Sequence, residues 1–166
     1  MAQEILTPVN LVSNIGPFRE FNGNPLIASL PELSDGNQET GIKNFVGGVS
    51  PAEITFKMTS PSFVTFNTAI FQYQVEELGG GTKGTIITTL NGLQIDSFSG
   101  AAGNGDIKEV DISNLSIDEI KNGAFGFNID VSESKISEVK IILTIIGGLV
   151  KLTQGQVELK EGKISI

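Results

Sequence analysis

Asp35, Asn37 and Glu39 alternate within the polar run Ser34-Asp35-Gly36-Asn37-Gln38-Glu39-Thr40, the spacing with which a calcium loop begins. The Gly at the sixth position and the Glu at the twelfth that complete such a loop are absent. Asp, Asn, Ser and Gly at this density also build tight turns, so a structural turn is the first reading and calcium the alternative. A second chemistry open to a chain with 19 acidic residues is glycoside hydrolysis by two carboxylates across a cleft. In the strand-like segments, however, the acids fall mostly opposite the apolar residues, where a solvated face explains them. Ser and Thr nucleophiles lack a base because there is no His, and thiol chemistry is closed because there is no Cys. Gly79-Gly80-Gly81-Thr82 runs into no Gly-Lys-Ser/Thr ending, so it is no phosphate cradle. No catalytic, cofactor-binding or metal-ligating residue is assigned. The expectation is a protein that is not an enzyme.

Composition narrows the partners. The net charge is −8, and Arg19 is the one arginine, so no basic face is available to neutralise phosphates. Nucleic acid is excluded as an expected partner. With no Trp and only Tyr73 as tyrosine, the usual stacking platform for sugars is thin. The first residues, Met1-Ala2-Gln3-Glu4-Ile5-Leu6, lack the basic and apolar regions of a secretory signal. The longest apolar stretch, residues 141–150, is broken by Thr144 and Gly147-Gly148 and falls short of the ~20 residues that span a bilayer. A soluble product made in a cytoplasm, without membrane insertion, is expected.

The elements that must position these groups are strands. Residues 1–33 read as an extended N-terminal arm with Pro8, Pro17, Pro25 and Pro31 spaced along it. Within it only residues 5–12 read as a strand, at an edge because Pro8 cannot donate to a ladder. The arm packs along the sandwich in one reading and docks on a neighbour in the other. Residues 52–59 place Ile54, Phe56 and Met58 inward, and Pro61 breaks that strand before a short bridging segment at 63–66. Residues 68–76 place Ala69, Phe71, Tyr73 and Val75 on one face. Asn91-Gly92 predicts a type I′ hairpin between strands at 85–90 and 93–98. The small-residue loop 99–106 precedes a strand at 107–112.

A short helix is expected at about 116–122. Ser116 and Glu119 make the S-x-x-E capping box, Ile117 and Ile120 face inward, and Gly123 stands where a left-handed residue ends a helix. Two alternating strands follow, with Phe125, Phe127, Ile129 and Val131 on one inward face and Val139, Ile141, Leu143 and Ile145 on the next. The residues after 148 read as a C-terminal β-meander over 149–153, 156–159 and 163–166. It is either the last edge of the sandwich or a module that pairs with another copy.

From residue 33 to residue 146, about two thirds of the chain, the pattern resembles the jelly-roll β-sandwich domain of tailed-phage virion proteins and some bacterial surface proteins. The residues that carry it are the Ser34-Asp35-Gly36-Asn37 turn, the strand ending at Pro61, the Phe71 to Val75 strand and the Asn91-Gly92 hairpin. The best motif is Leu115-Ser116-x-x-Glu119-Ile120-x-Asn122-Gly123 followed by Ala124-Phe125-Gly126-Phe127-Asn128-Ile129. The last strand lacks the aromatic residues common near its end in that family, and residues 149–166 have no counterpart. The resemblance brings no catalytic residues. It implies an antiparallel jelly-roll over residues 34–148, an arm at 1–33, a β extension at 149–166, and a homotrimer as the common arrangement.

The function expected on this basis is a bacteriophage virion structural protein. A capsid decoration (cement) protein or a small head or tail fibre component would bury edges and loops against other virion proteins and sister copies. Its contact elements would be residues 1–8 and 149–166, and its location the virion. The alternative is a receptor- or glycan-binding recognition module of a tail fibre or adhesin. That reading would use the loops at 35–39 and 100–106, with Asn104 and Asp106 as its test positions.

Overall fold

The computed structural model describes residues 1–16, 18–37, 39–44, 52–77, 85–99, 106–129, 134–145, 150–153 and 156–159. Strands β1 (Ala2–Leu6), β2 (Pro8–Ile15) and β3 (Phe18–Glu20) precede a 3-10 turn (Pro31–Leu33) and β4 (Ile42–Asn44). Next come β5 (Ala52–Met58), β6 (Thr68–Glu77), β7 (Thr85–Leu90), β8 (Leu93–Ser99), β9 (Asp106–Asp111) and helix α1 (Ile117–Asn122). β10 (Phe125–Ile129), β11 (Ser134–Ile145), β12 (Val150–Thr153) and β13 (Gln156–Leu159) follow.

One sheet has the order β3-β4-β11-β6-β9, with β1 also on β11, and the other has the order β2-β5-β10-β7-β8. The pairings are antiparallel. With β4 to β11 counted as eight strands, the sheets read first-eighth-third-sixth and second-seventh-fourth-fifth. That interleaving is a jelly roll. The expected all-β sandwich with one short helix is what the chain forms. β12 and β13 make a separate two-stranded ladder; the third strand expected at 163–166 lies outside the described residues, as do 79–82, 100–105 and Val131.

Alternation explains why these segments are strands. Ile54, Phe56 and Met58 on β5, and Ala69, Phe71, Tyr73 and Val75 on β6, are all buried, as are Phe125, Phe127 and Ile129 on β10. The two sheets meet through rings: Phe71 stacks on Phe125 at 5.3 Å, and Tyr73 meets Phe127 edge-on at 4.9 Å. Phe56 lies 5.9 Å from Phe127. The Asn91-Gly92 turn takes φ of 52° and 77°, as a type I′ hairpin requires. Ile120 on α1 is buried beneath the end of the sandwich, and Ile117 packs half-buried against the same core.

Three expectations need correction. Residues 5–12 are not one strand: the chain leaves β1 at Leu6, crosses at Thr7 and starts β2 at Pro8 on the opposite sheet. Alternation missed β1 because Glu4 shares its face with buried Leu6, and missed β3 because that strand has only three residues. The last long strand begins at Ser134 rather than Val139. A bulge leaves Glu138 and Val139 opposite Tyr73, with Glu138 at φ 50°, so the inward face changes from Ile136 to Val139. Gly123 is extended (φ −66°, ψ 150°) rather than left-handed. It is glycine because a Cβ there would collide with Leu90 and with the Glu119 carbonyl.

Gly126 answers to a similar limit. It lies between Thr55 and Thr89 in neighbouring strands, and a Cβ would stand 2.5 Å from the Ile54 carbonyl and 2.9 Å from Thr55 Cγ2. Gly126→Ala should therefore lower the free energy of unfolding by roughly 1–3 kcal/mol, as overpacking does. A denaturant midpoint equal to that of the parent chain would contradict this packing.

Candidate functional surface

The polar run at 34–40 closes on itself. Asp35 accepts the Asn37 N–H at 2.8 Å and the Thr40 hydroxyl at 2.8 Å, while Asn37 Oδ1 accepts the Glu39 N–H at 3.0 Å. These are Asx-type turns, and they explain the alternation without an ion. Among the described residues, no three acidic groups converge as a metal set.

This turn packs beside β3 and forms an acidic corner that sequence inspection did not single out. A concavity of about 80 Å³ is lined by Glu20, Phe21, Asn22, Glu32, Glu39, Thr40 and Gly41. Sites that enclose a small molecule run to roughly 300–1,000 Å³, so this one is too small to hold a sugar ring as a bound ligand. Burial pushes the Glu32 carboxyl above its ordinary value; its own backbone N–H opposes this, and the neighbouring charges of Glu20 and Asp35 add to the rise. Asn24 donates to Glu20 at 3.2 Å and holds that second carboxylate in place. The pair joins residues 12 apart in sequence, which no local spacing rule announces.

On the outer face nearby, Lys135 is buried with its ammonium 2.5 Å from Glu76 and 4.8 Å from the Phe21 ring centre. Lys43 reaches the same ring at 5.5 Å. Charge and ring together cover the bulge end of β11, so these lysines serve the sheet. Their opposite-sign and cation–π contacts satisfy groups that burial would otherwise penalise.

The far side of the sandwich, between β8 and β9, is closed by inward-turned charge. Lys108 lies 4.0 Å over the Phe98 ring and 3.7 Å from Asp106. Asp96 pairs across from buried Thr88. Burial raises the Tyr73 hydroxyl above its ordinary pKa; Thr88 beside it acts the other way, and the Asp96 charge adds to the rise. Of the two recognition-loop positions, Asp106 opens β9 with a half-exposed side chain, and Asn104 lies outside the described residues.

At the N-terminus, Glu4 accepts the Ser62 and Phe63 N–H groups at 2.7 and 3.0 Å. Burial works to raise its pKa, but these hydrogen bonds outweigh that and leave it lowered. Residues 1–8 are thus tied to both sheets, as β1 on β11 and as the first residue of β2 on β5. Met1 and Ile5 remain exposed.

The raised pKa of Glu32 has a definite sign in stability. The folded state holds this proton more tightly than the unfolded chain does, so the group favours folding once protonated at acid pH. That contribution is lost as pH rises through the raised value, and the ionised carboxylate then opposes folding. Glu32→Gln should raise the melting temperature at pH 7 and leave it nearly unchanged below pH ~4, where Glu is protonated in both states. The effect stays modest because part of the side chain is still reached by solvent. A lower melting temperature at pH 7 would contradict the assignment.

No family model, no curated protein and no solved structure matches this chain.

Proposed function

We propose that this protein is a non-enzymatic structural component of a phage virion, a capsid decoration protein or a small head or tail fibre part. It acts by burying its perimeter against other virion proteins and against sister copies, three in the arrangement that the sequence resemblance implies. The observation that supports this most is the pairing of a jelly-roll topology with a core that consumes the patterned residues. Jelly rolls recur in capsid and lectin domains. Fold alone does not assign function, so the surface must tip the balance. Among the described residues, that surface has an acidic concavity too small for a sugar ring, and a net charge of −8 sits on the whole chain. Protein contact is the chemistry we assign to it.

Mass spectrometry of phage particles purified from the strain that carries the gene tests this directly. The chain should copurify with intact particles at a fixed ratio to the capsid or tail proteins. Its presence only in the soluble fraction of the lysate would contradict the proposal.

A further inference from the structure

The dipeptide Asn-Gly occurs four times, at 22–23, 91–92, 104–105 and 122–123. It is the pair in which a side-chain amide is most open to attack by its own backbone, because Gly puts no side chain in the way of its nitrogen. That nitrogen attacks the Asn Cγ, its proton leaves with the carboxamide NH2 as ammonia, and a cyclic succinimide forms. Water then opens the ring at either carbonyl and gives aspartate or isoaspartate. The chemistry is the same at each pair, so the fold decides which of them reacts. Asn104 and Gly105 lie outside the described residues.

Two of the others are held from a distance. Asn91 is exposed, but its Oδ1 accepts the Ala124 N–H at 2.9 Å and its own N–H donates to the Ala124 carbonyl at 2.7 Å. Swinging Cγ onto the Gly92 nitrogen gives up the first of these bonds and strands an amide 33 residues away. At Asn122 the obstacle is room. Gly123 is buried, its N–H donates to the Glu119 carbonyl at 2.8 Å, and even a Cβ there would collide with Leu90. The Asn122 carbonyl also accepts from Lys57. Ring closure at either pair therefore requires the junction of α1 with β10 to open.

The turn at Asn22 closes on itself. Asn22 is exposed, and its Oδ1 accepts the Asn24 N–H at 2.9 Å. The Gly23 N–H donates to the Glu20 carbonyl at 2.8 Å, and the Glu20 N–H donates to the Asn24 carbonyl at 3.0 Å. Arg19 adds a bond from next door, donating to the Gly23 carbonyl at 3.2 Å. Gly23 has φ of 94°, a backbone that only glycine takes readily. The anchor to the rest of the fold is Phe21, whose N–H donates to the Gly41 carbonyl at 2.8 Å. Beyond that anchor, a local fluctuation can open the turn while both sheets stay intact.

We propose that Asn22-Gly23 is a site of spontaneous deamidation, selected by the fold over Asn91-Gly92 and Asn122-Gly123. The product adds a carboxylate to the concavity that Asn22 lines with Glu20, Glu32 and Glu39, so the acidic corner gains negative charge as the protein ages. Isoaspartate also inserts a methylene into the backbone of the turn, which then cannot keep its ring of hydrogen bonds. This modification holds or fails apart from any virion role. The purified full chain, kept at mildly alkaline pH and physiological temperature, tests it by site-resolved mass spectrometry over time. Conversion at Asn22 should run several times faster than at Asn91 or Asn122. In strong urea, where the fold no longer selects, the three should convert at similar rates. An isoaspartyl methyltransferase should label residue 22 of the aged native chain, because ring opening gives isoaspartate as well as aspartate. An Asn22 that stays intact in the native chain would overturn the proposal. So would native conversion at Asn91 or Asn122 that keeps pace with Asn22, the same ratio of rates in native and unfolded chains, or aspartate at residue 22 without isoaspartate.

Discussion

The contact on which the structure depends is the packing of five rings between two sheets. Phe71 and Tyr73 come from one sheet, and Phe56, Phe125 and Phe127 come from the other. All five are buried with no side-chain exposure to spare. Offset and edge-on ring pairs contribute beyond the area they remove from water, by about 0.5–1.5 kcal/mol each. They also fix which faces of β5, β6 and β10 can turn inward, and so fix the register of their neighbours. The bulge at Glu138 follows from this constraint. With Ile136 and Val139 both inward against β6, the strand must absorb one extra residue, and a glutamate accepts a left-handed backbone to do it.

A core of this kind leaves little for function except the rim. In an interleaved jelly roll the open edges lie around the perimeter, while the middle of each sheet is occupied by packing. The polar groups at the rim are mostly engaged in structural work. Glu4 pins the first strand to residues 62 and 63, Lys135 pairs with Glu76 under Phe21, and Asp35 closes its own turn. Each of these would resemble a site in a list of charged residues. Their partners show them to be fasteners. Among the described residues, β12 and β13 pair with each other and with neither sheet.

Much of the fold was legible because burial writes itself into period-two patterns. The Phe125 and Phe127 strand, the β6 face from Ala69 to Val75, the type I′ turn at Asn91-Gly92 and the Ser116–Glu119 capping box could all be read directly. Several of the failures share a cause, which is a residue whose local pattern was overridden by a partner that its spacing does not announce. Glu4 shares the face of buried Leu6 because its carboxylate accepts from backbone N–H groups 58 and 59 residues away. Lys135 sits buried within β11 because Glu76 and Phe21 cover it, and it hides the start of that strand. Gly123 is extended because Leu90 and the Glu119 carbonyl crowd it, which helix-ending rules do not anticipate. The Glu20–Glu32 corner was illegible for the same reason, since only the fold brings those carboxylates together.

The ring cluster as the common support of both sheets is open to one direct measurement, native-state hydrogen exchange on the parent chain and on Phe127→Ala. If the cluster carries the fold, amides of β5, β6, β10 and β11 open together, and the substitution lowers their shared opening free energy by about 3–5 kcal/mol, the range for truncating a buried aromatic. Loss of protection confined to β10, with β6 and β11 unchanged on the opposite sheet, would contradict it.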